Sequence, residues 1–193
     1  MRVYSDYVCP YCFFAEDLLG RIAKEQSFTI NGCRLNCVQL LNPHDGAKAN
    51  TLNACGANPS IPMAERLGIH IVLPKISPQP HTGLAFEGYH YAVDQGQGPA
   101  YTHRMFTAFF QEERHIEKLS VLTELAEDLG FDAPAFRYGL ESGIYQERHQ
   151  QALRHAQEKM RITAVPTFVR NRRRLQGLPS LSQLRTFLTH NEL

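Results

Sequence analysis

Two cysteines separated by two residues lie near the start of the chain, in Cys9-Pro10-Tyr11-Cys12. The preceding residues 2–5 are strand-like, and from Pro10 onward apolar side chains recur at a spacing of three and four, which is typical of one buried helix face. The pair therefore lies where an opening strand turns into a helix. Cys9 takes the N-cap position, and Pro10 takes the first helical position, where a missing N–H costs nothing and the fixed φ is already helical.

This position predicts the chemistry of both cysteines. Unpaired N–H groups and the positive end of the helix dipole favour a thiolate at Cys9. The dipole supplies at most about 2 kcal/mol, which lowers a thiol pKa by only about one to one and a half units. Hydrogen bonds to the sulfur, one of them from Cys12, must supply the rest. We therefore predict that Cys9 is the attacking thiol and Cys12 the resolving thiol, a mechanism that needs no resident cofactor.

Composition narrows the class of protein. A chain of 193 residues is long enough for one sizeable core, and a net charge of +1 argues against a general nucleic-acid-binding surface. We expect no membrane span, since one needs about 20 consecutive apolar residues, and no signal peptide, since the motif begins so close to Met1. A cytoplasmic location is therefore expected. Five cysteines suit one redox pair plus free thiols better than a disulfide framework.

The rest of the chain divides into three parts by pattern. Residues 1–60 predict strand, helix and strand, with Asn31-Gly32 as a turn before a strand at 33–39 and a loop from residue 41. Residues 61–145 predict an inserted helical subdomain. Residues 146–193 predict a hairpin of strands at 164–169 and 173–176 and a closing helix behind Ser180 and Gln183, which form a capping-box pattern. The helices expected from residue 82 onward are 82–95, 100–112, 120–129, 133–141 and 145–160.

A proline opens the first strand of the predicted hairpin. Proline cannot donate to a strand ladder, yet it is tolerated where a cis bond exposes the preceding backbone to a ligand. We therefore expect a cis Val165–Pro166 bond that offers the main chain of Val165 to an extended substrate. Pro10 and Tyr11, which lie between the cysteines, complete the predicted substrate-binding residues. Tyr11 is expected to tune access and reduction potential.

The Cys9-Pro10-Tyr11-Cys12 motif and residues 163–169 together resemble the DsbA family, and specifically its cytoplasmic FrnE-like branch. The resemblance covers nearly the whole chain and includes Asn42-Pro43 and Pro80-His81-Thr82. It implies an α/β thioredoxin fold, with a central mixed sheet and a large inserted helical subdomain, in which Pro166 faces Cys9. It also implies a thiol–disulfide oxidoreductase with Cys9 as nucleophile, Cys12 as resolving thiol and Pro166 as the cis-proline.

Other functions remain open. One alternative is a glutathione-dependent isomerase or transferase of the same fold, of the class that resembles 2-hydroxychromene-2-carboxylate isomerase or the kappa glutathione transferases. Those enzymes usually carry serine at the position of Cys9. A binding protein or chaperone would use the helical subdomain as an apolar groove. The expected partner is a disulfide-containing protein or a small thiol, with glutathione as the candidate co-substrate. Neither a nucleic acid nor a membrane is expected, and a homodimer is left open.

The other cysteines allow a structural alternative. Cys33 and Cys37 follow the first pair at nearly the spacing of a zinc ribbon. A metal site is disfavoured, because three residues separate this second pair and the pair lies in a strand pattern. A disulfide between them is also disfavoured, since their Cα atoms would lie about 13 Å apart on one strand. With Cys55, they are interpreted as buried or partly buried thiols, and no metal is expected.

Overall fold

A computed structural model describes residues 1–26, 34–37 and 58–189 of the chain. In this part, four short strands form one sheet in the order β2-β1-β3-β4. β1 pairs in parallel with β2 and antiparallel with β3, which pairs antiparallel with β4, so the sheet is mixed as predicted. The strands are β1 (Arg2–Ser5), β2 (Arg34–Cys37), β3 (Thr167–Arg170) and β4 (Arg173–Gln176).

Eight α-helices are described in the same parts of the chain. The predicted helices between residues 82 and 141 are confirmed with bounds that differ by two residues at most, and the predicted helix 145–160 is α7 with a π-helical continuation at His155–Lys159. The helices are α1 (Pro10–Gln26), α2 (Ser60–Leu67), α3 (Gly83–Asp94), α4 (Gly98–Phe110), α5 (Leu119–Asp128), α6 (Ala133–Glu141), α7 (Gln146–Arg154) and α8 (Leu181–Thr189).

Local signals explain where several elements begin and end. The capping box before α8 is confirmed, because Ser180 N–H donates to Gln183 Oε1 at 2.9 Å and Gln183 N–H donates to Ser180 Oγ at 3.2 Å. Between β3 and β4, Asn171 takes a left-handed φ of 55°, which makes the predicted tight turn possible. The expected turn at Asn31-Gly32, the loop after residue 41 and Cys55 lie outside the described residues.

Helix α1 separates two cores and belongs to both. Further along the helix, Leu18 and Ile22 pack with Phe168 of the sheet and Phe187 of α8. In its first turns, Phe13 stacks on Phe110 of α4 with 5.4 Å between ring centroids. The N-terminal end of α1 is therefore held by the aromatic core of the helical subdomain. The largest fully buried side chains of that core are Tyr7, Tyr101, Phe14, Phe86, Phe106, Phe110, Phe136 and Met105.

Gly88 in α3 marks the closest packing in this aromatic core. A Cβ atom at this position would lie 2.3 Å from the Tyr101 hydroxyl oxygen and 2.8 Å from a ring carbon of Phe136. Both rings are fully buried, so neither can swing into solvent. Gly20 in α1 is the matched contrast, because a Cβ there would meet nothing within 4 Å.

Gly88→Ala is expected to destabilise the protein by about 1–3 kcal/mol, because the buried rings must shift to admit the methyl group. Gly20→Ala is expected to stabilise it by about 0.5–1 kcal/mol, because alanine loses less backbone entropy in a helix. Chemical denaturation of both variants measures the two free energies of unfolding. A Gly88→Ala protein as stable as the parent would contradict the close packing of α3.

Two histidines are buried between α3 and α7. The rings of His90 and His149 lie 6.2 Å apart, and His149 stacks on Phe86. Within the described part of the chain, neither ring nitrogen of His149 has a hydrogen-bond partner. Burial lowers the pKa of each imidazole to about 4 from an ordinary value of 6.5. The pKa of His90 is also lowered by the charges of Arg148 and His149 and raised by that of Asp94. The pKa of His149 is also lowered by the charge of His81.

These pKa values predict acid sensitivity of the packing between α3 and α7. Above about pH 6.5 both histidines are neutral in both states. Between about pH 6.5 and pH 4 the unfolded chain binds protons that the folded chain excludes, so stability falls by up to about 3 kcal/mol per histidine, with no further loss below pH 4. In His149→Phe, which keeps a stacked ring, the free energy of unfolding should fall less steeply across this window.

His103 provides a control, because its pKa is shifted in the opposite direction from those of His90 and His149. Its hydrogen bond to Glu16 raises the pKa of this exposed imidazole. It therefore contributes stability below its unfolded pKa and loses that contribution as the pH rises through its folded value. His103→Gln should make the loss of stability on acidification slightly steeper. An unchanged acid slope in His149→Phe would contradict the buried neutral imidazole.

Candidate active site

Cys9 lies at the N-terminus of α1, in the capping position. Its carbonyl oxygen accepts the first helical hydrogen bonds, from Cys12 N–H at 3.0 Å and Phe13 N–H at 3.2 Å, while its own N–H donates to the Asp6 carbonyl oxygen at 3.1 Å. Pro10 begins the helix, where no backbone donor is required. The Cys9 sulfur therefore lies beside the free N–H groups of the first helical turn.

The two cysteines differ in their exposure. Cys9 is half-buried and Cys12, one turn into the helix, is only 2% exposed; both are free thiols. The C-x-x-C spacing places both sulfurs on the first turn, with the more accessible one at its end. A large substrate can reach Cys9, whereas Cys12 is accessible only from within the protein.

The segment before β3 lies against the Cys9 sulfur. The Sγ atom of Cys9 is 3.8 Å from the carbonyl oxygen of Val165, and the Val165–Pro166 peptide bond is cis. Pro166 is buried and its carbonyl oxygen accepts from Gly177 N–H at 2.8 Å, whereas Val165 is half-exposed. The structure thus brings together residues that are 156 positions apart in the chain.

Hydrogen bonding and burial shift the two thiol pKa values in opposite directions. The hydrogen bond from the Cys12 thiol lowers the pKa of Cys9 most; burial raises it, and the N–H groups of Cys12 and Tyr11 lower it further. Burial raises the pKa of Cys12 well above its ordinary value, and its hydrogen bond and proximity to Cys9 add to this. These are the directions that the predicted roles of attacking and resolving thiol require.

The two residues between the cysteines lie at the surface of the first helical turn only in part. Pro10 is buried and Tyr11 is half-buried, with its ring edge-on to Phe14 at 6.1 Å. His81 is exposed just before α3, where its Nδ1 accepts from Gly83 N–H at 3.3 Å. Through this contact His81 binds the backbone at the start of a helix.

Three polar residues near the site were not predicted. The Asp6 carboxylate accepts from the Thr82 hydroxyl at 3.0 Å and from Val8 N–H at 3.4 Å, and Gln79 Nε2 donates to the Val8 carbonyl oxygen at 3.3 Å. An aspartate followed two residues later by the N–H that it accepts is an Asx turn, a signal that the sequence carries at Asp6. No local signal in the sequence identifies Thr82 as the partner of Asp6 or Gln79 as the partner of Val8.

The described residues contain no group of three or more histidine, cysteine, aspartate or glutamate side chains arranged to hold a metal ion. The side chains of Cys33 and Cys37 lie outside the described part of the chain. None of the described helices combines the length and apolar character needed to cross a bilayer.

Comparison with known proteins identifies the family. Residues 1–189 match the DsbA-like thioredoxin domain. The chain belongs to this family. It is 41% identical over 175 residues to YwbO of Bacillus subtilis, an uncharacterised protein, and the match covers 88% of this chain and 85% of YwbO. The predicted family and fold are therefore confirmed.

Solved structures show the same fold at lower identity. A structure of 2-hydroxychromene-2-carboxylate isomerase aligns with a TM-score of 0.74 at 22% identity, covering 97% of this chain and 93% of the isomerase. The cytosolic disulfide reductase DsbM of Pseudomonas aeruginosa aligns with a TM-score of 0.68 at 18% identity, covering 97% of this chain and 95% of DsbM. Proteins of this fold thus include a disulfide reductase and an isomerase.

The hydrogen bond between the thiols makes the pKa of Cys9 depend on the residue at position 12. In the reduced protein the pKa of Cys9 should lie below that of an unperturbed thiol. Cys12→Ala removes the largest cause of the lowering and should raise the pKa of Cys9, whereas Cys12→Ser keeps a hydroxyl donor and should raise it less. Ultraviolet absorbance of the thiolate, recorded against pH, measures the pKa of Cys9 in the parent protein and in both variants. Identical titrations for the two variants would contradict the sulfur–sulfur hydrogen bond.

Proposed function

We propose that this protein is a thiol–disulfide oxidoreductase that works by dithiol–disulfide exchange through Cys9 and Cys12. The observation that carries the proposal is the unequal pair itself. An accessible thiol with a lowered pKa lies one helical turn from a buried thiol with a raised pKa. A single nucleophile would not need the second thiol, and a structural disulfide would not need the difference in access and acidity.

The exchange reaction proceeds in two displacements. The Cys9 thiolate attacks one sulfur of a substrate disulfide, the substrate S–S bond breaks, and the departing sulfur leaves as a thiolate that takes up a proton. Cys12 then gives up its proton and attacks the Cys9 sulfur, so the Cys9–Cys12 disulfide forms and the second substrate thiol leaves. Two electrons pass from the protein to the substrate. The same steps in reverse oxidise a dithiol substrate.

The backbone beside Cys9 suits an extended substrate. The Val165 carbonyl oxygen, 3.8 Å from the Cys9 sulfur, can accept a main-chain N–H from a peptide whose cysteine occupies the site. Pro10 and Pro166 form the buried sides of this site, and the half-exposed Tyr11 borders it. A disulfide-containing protein is the substrate that uses these features best, because a strand-like peptide would gain both the exchange reaction and backbone pairing.

Glutathione is the proposed small-thiol partner, and the cytoplasm the proposed location. DsbM, a cytosolic disulfide reductase of the same fold, has been solved with GSH. Cytosolic glutathione holds a potential of about −220 to −320 mV, so it can reduce a Cys9–Cys12 disulfide of higher potential and return the protein to its dithiol form. No resident cofactor takes part in this cycle.

A second function is worth testing because of the likeness to 2-hydroxychromene-2-carboxylate isomerase. A glutathione-dependent isomerase or transferase of this fold transfers no electrons between cysteines, so it needs no resolving thiol. Replacement of Cys12 therefore separates the two functions. An isomerase or transferase would keep its turnover in Cys12→Ser, whereas an oxidoreductase would stop after the first displacement.

Cys12→Ser should accumulate mixed disulfides in cells, and Cys9→Ser should not. Of the two described thiols, Cys9 alone is accessible to a substrate, and Cys12 is placed to release what Cys9 has captured. Purification under non-reducing conditions, followed by mass spectrometry before and after dithiothreitol, measures the adducts. Protein adducts support the oxidoreductase, while adducts of glutathione alone favour the isomerase or transferase.

The Cys9→Ser protein is the matched control for this experiment, because it has the same amino-acid composition as Cys12→Ser and also keeps one thiol of the pair. Equal adduct levels in the two variants would contradict the assigned roles. Adducts in neither variant would favour the binding protein or chaperone over both enzymes.

A further inference from the structure

Residues 6–12, which lead into α1 and carry both cysteines, form the redox turn. A buried carboxylate in this turn takes no part in the exchange steps. Asp6 is 1% exposed and belongs to the segment that joins β1 to α1. Its backbone contacts both cysteines, since its carbonyl oxygen accepts from Cys9 N–H at 3.1 Å and its N–H donates to the Cys12 sulfur. A buried carboxylate is costly unless other groups satisfy it, so its position here calls for a physical explanation.

Two donors converge on one oxygen of this carboxylate. The Thr82 hydroxyl donates to Oδ1 at 3.0 Å, and Val8 N–H donates to the same atom at 3.4 Å. Hydrogen bonds donated to a carboxylate stabilise its charged form and oppose the desolvation that burial imposes on it. Thr82 is fully buried and immediately precedes α3, so the contact also joins the helical subdomain to the redox turn.

We propose that Asp6 is a positioning residue that fixes this turn and places a negative charge where it opposes the thiolate of Cys9, a role that rests on the exchange chemistry proposed above. The reduced protein carries a thiolate at Cys9, whereas the disulfide carries no charge there. The carboxylate therefore raises the free energy of the reduced form relative to the disulfide form. This makes the dithiol a stronger electron donor, which suits the reduction of substrate disulfides.

The electrostatics of Cys9 agree with this role. The hydrogen bond from Cys12 lowers the pKa of Cys9 most, burial raises it, and the charge of Asp6 raises it as well. Asp6 thus counteracts the contact that activates Cys9. The balance leaves a thiolate that is reactive yet not so stable that the reduced protein becomes a poor reductant.

Asp6→Asn tests the charge, because the amide oxygen can still accept from Thr82 and Val8. The pKa of Cys9 should fall. Reduction of the Cys9–Cys12 disulfide by two molecules of glutathione, which yields the dithiol and one glutathione disulfide, should become about three- to tenfold more favourable. A tenfold change corresponds to about 30 mV in this two-electron couple. Above the pKa of Cys9, each tenfold change should accompany a pKa decrease of about one unit.

Thr82→Val is the matched control, because it removes a hydrogen bond from the same carboxylate and leaves the charge. It should lower the free energy of unfolding without lowering the pKa of Cys9 or favouring reduction by glutathione. If Asp6→Asn does not fold, Asp6→Ser replaces it, since serine has no charge and its hydroxyl can still accept from Val8 N–H. The same fall in pKa and shift in the glutathione equilibrium are expected.

Two results would overturn this role of Asp6. One is a folded uncharged variant with the parent's Cys9 pKa and glutathione equilibrium. The other is the same pKa decrease in Thr82→Val, which would assign the effect to the geometry of the turn. Failure of the oxidoreductase function looks different, because the parent protein would then form no Cys9–Cys12 disulfide in glutathione buffers.

Discussion

A hydrogen bond between two sulfur atoms is the contact on which the candidate site depends. The Cys12 thiol donates to the Cys9 sulfur, and it can do so only while it keeps its proton. Burial ensures this by raising the pKa of Cys12. The activation of one thiol and the inertness of the other are therefore consequences of a single arrangement. The helix dipole contributes at most about 2 kcal/mol and could not produce this asymmetry alone.

The helical subdomain has a structural role in this arrangement. Helix α1 must present its N-terminus at a fixed position relative to Val165, which belongs to the segment before β3. Phe13 anchors the first turn of α1 in the aromatic core through Phe110, and Thr82 holds the preceding segment through Asp6. The sheet holds the other side, because β1 pairs with β3. The site is thus fixed from two cores, and neither core alone positions both of its halves.

Much of this could be predicted from the sequence, because local patterns determine it. Helical periodicity located α3 to α7, the Ser180 and Gln183 pattern located the start of α8, and the C-x-x-C motif located the two thiols at the start of α1. The pairing of Asp6 with Thr82 could not be predicted, since it joins residues 76 positions apart and neither residue signals the other. The buried imidazoles of His90 and His149 were missed for the same reason. A histidine in an amphipathic pattern does not reveal which neighbour will cover it.

The same fold supports electron transfer and isomerisation, so the fold cannot decide between them. The two reactions differ in the step after the first attack on the substrate. A lone nucleophile at the N-terminus of α1 can bind or activate a thiol, and water or the substrate must complete the reaction. A second sulfur one helical turn away makes the release intramolecular and removes two electrons from the pair. In the proposed exchange, the raised pKa of the buried Cys12 keeps its thiol protonated, and so delays the second attack, until Cys9 has formed a mixed disulfide with a substrate.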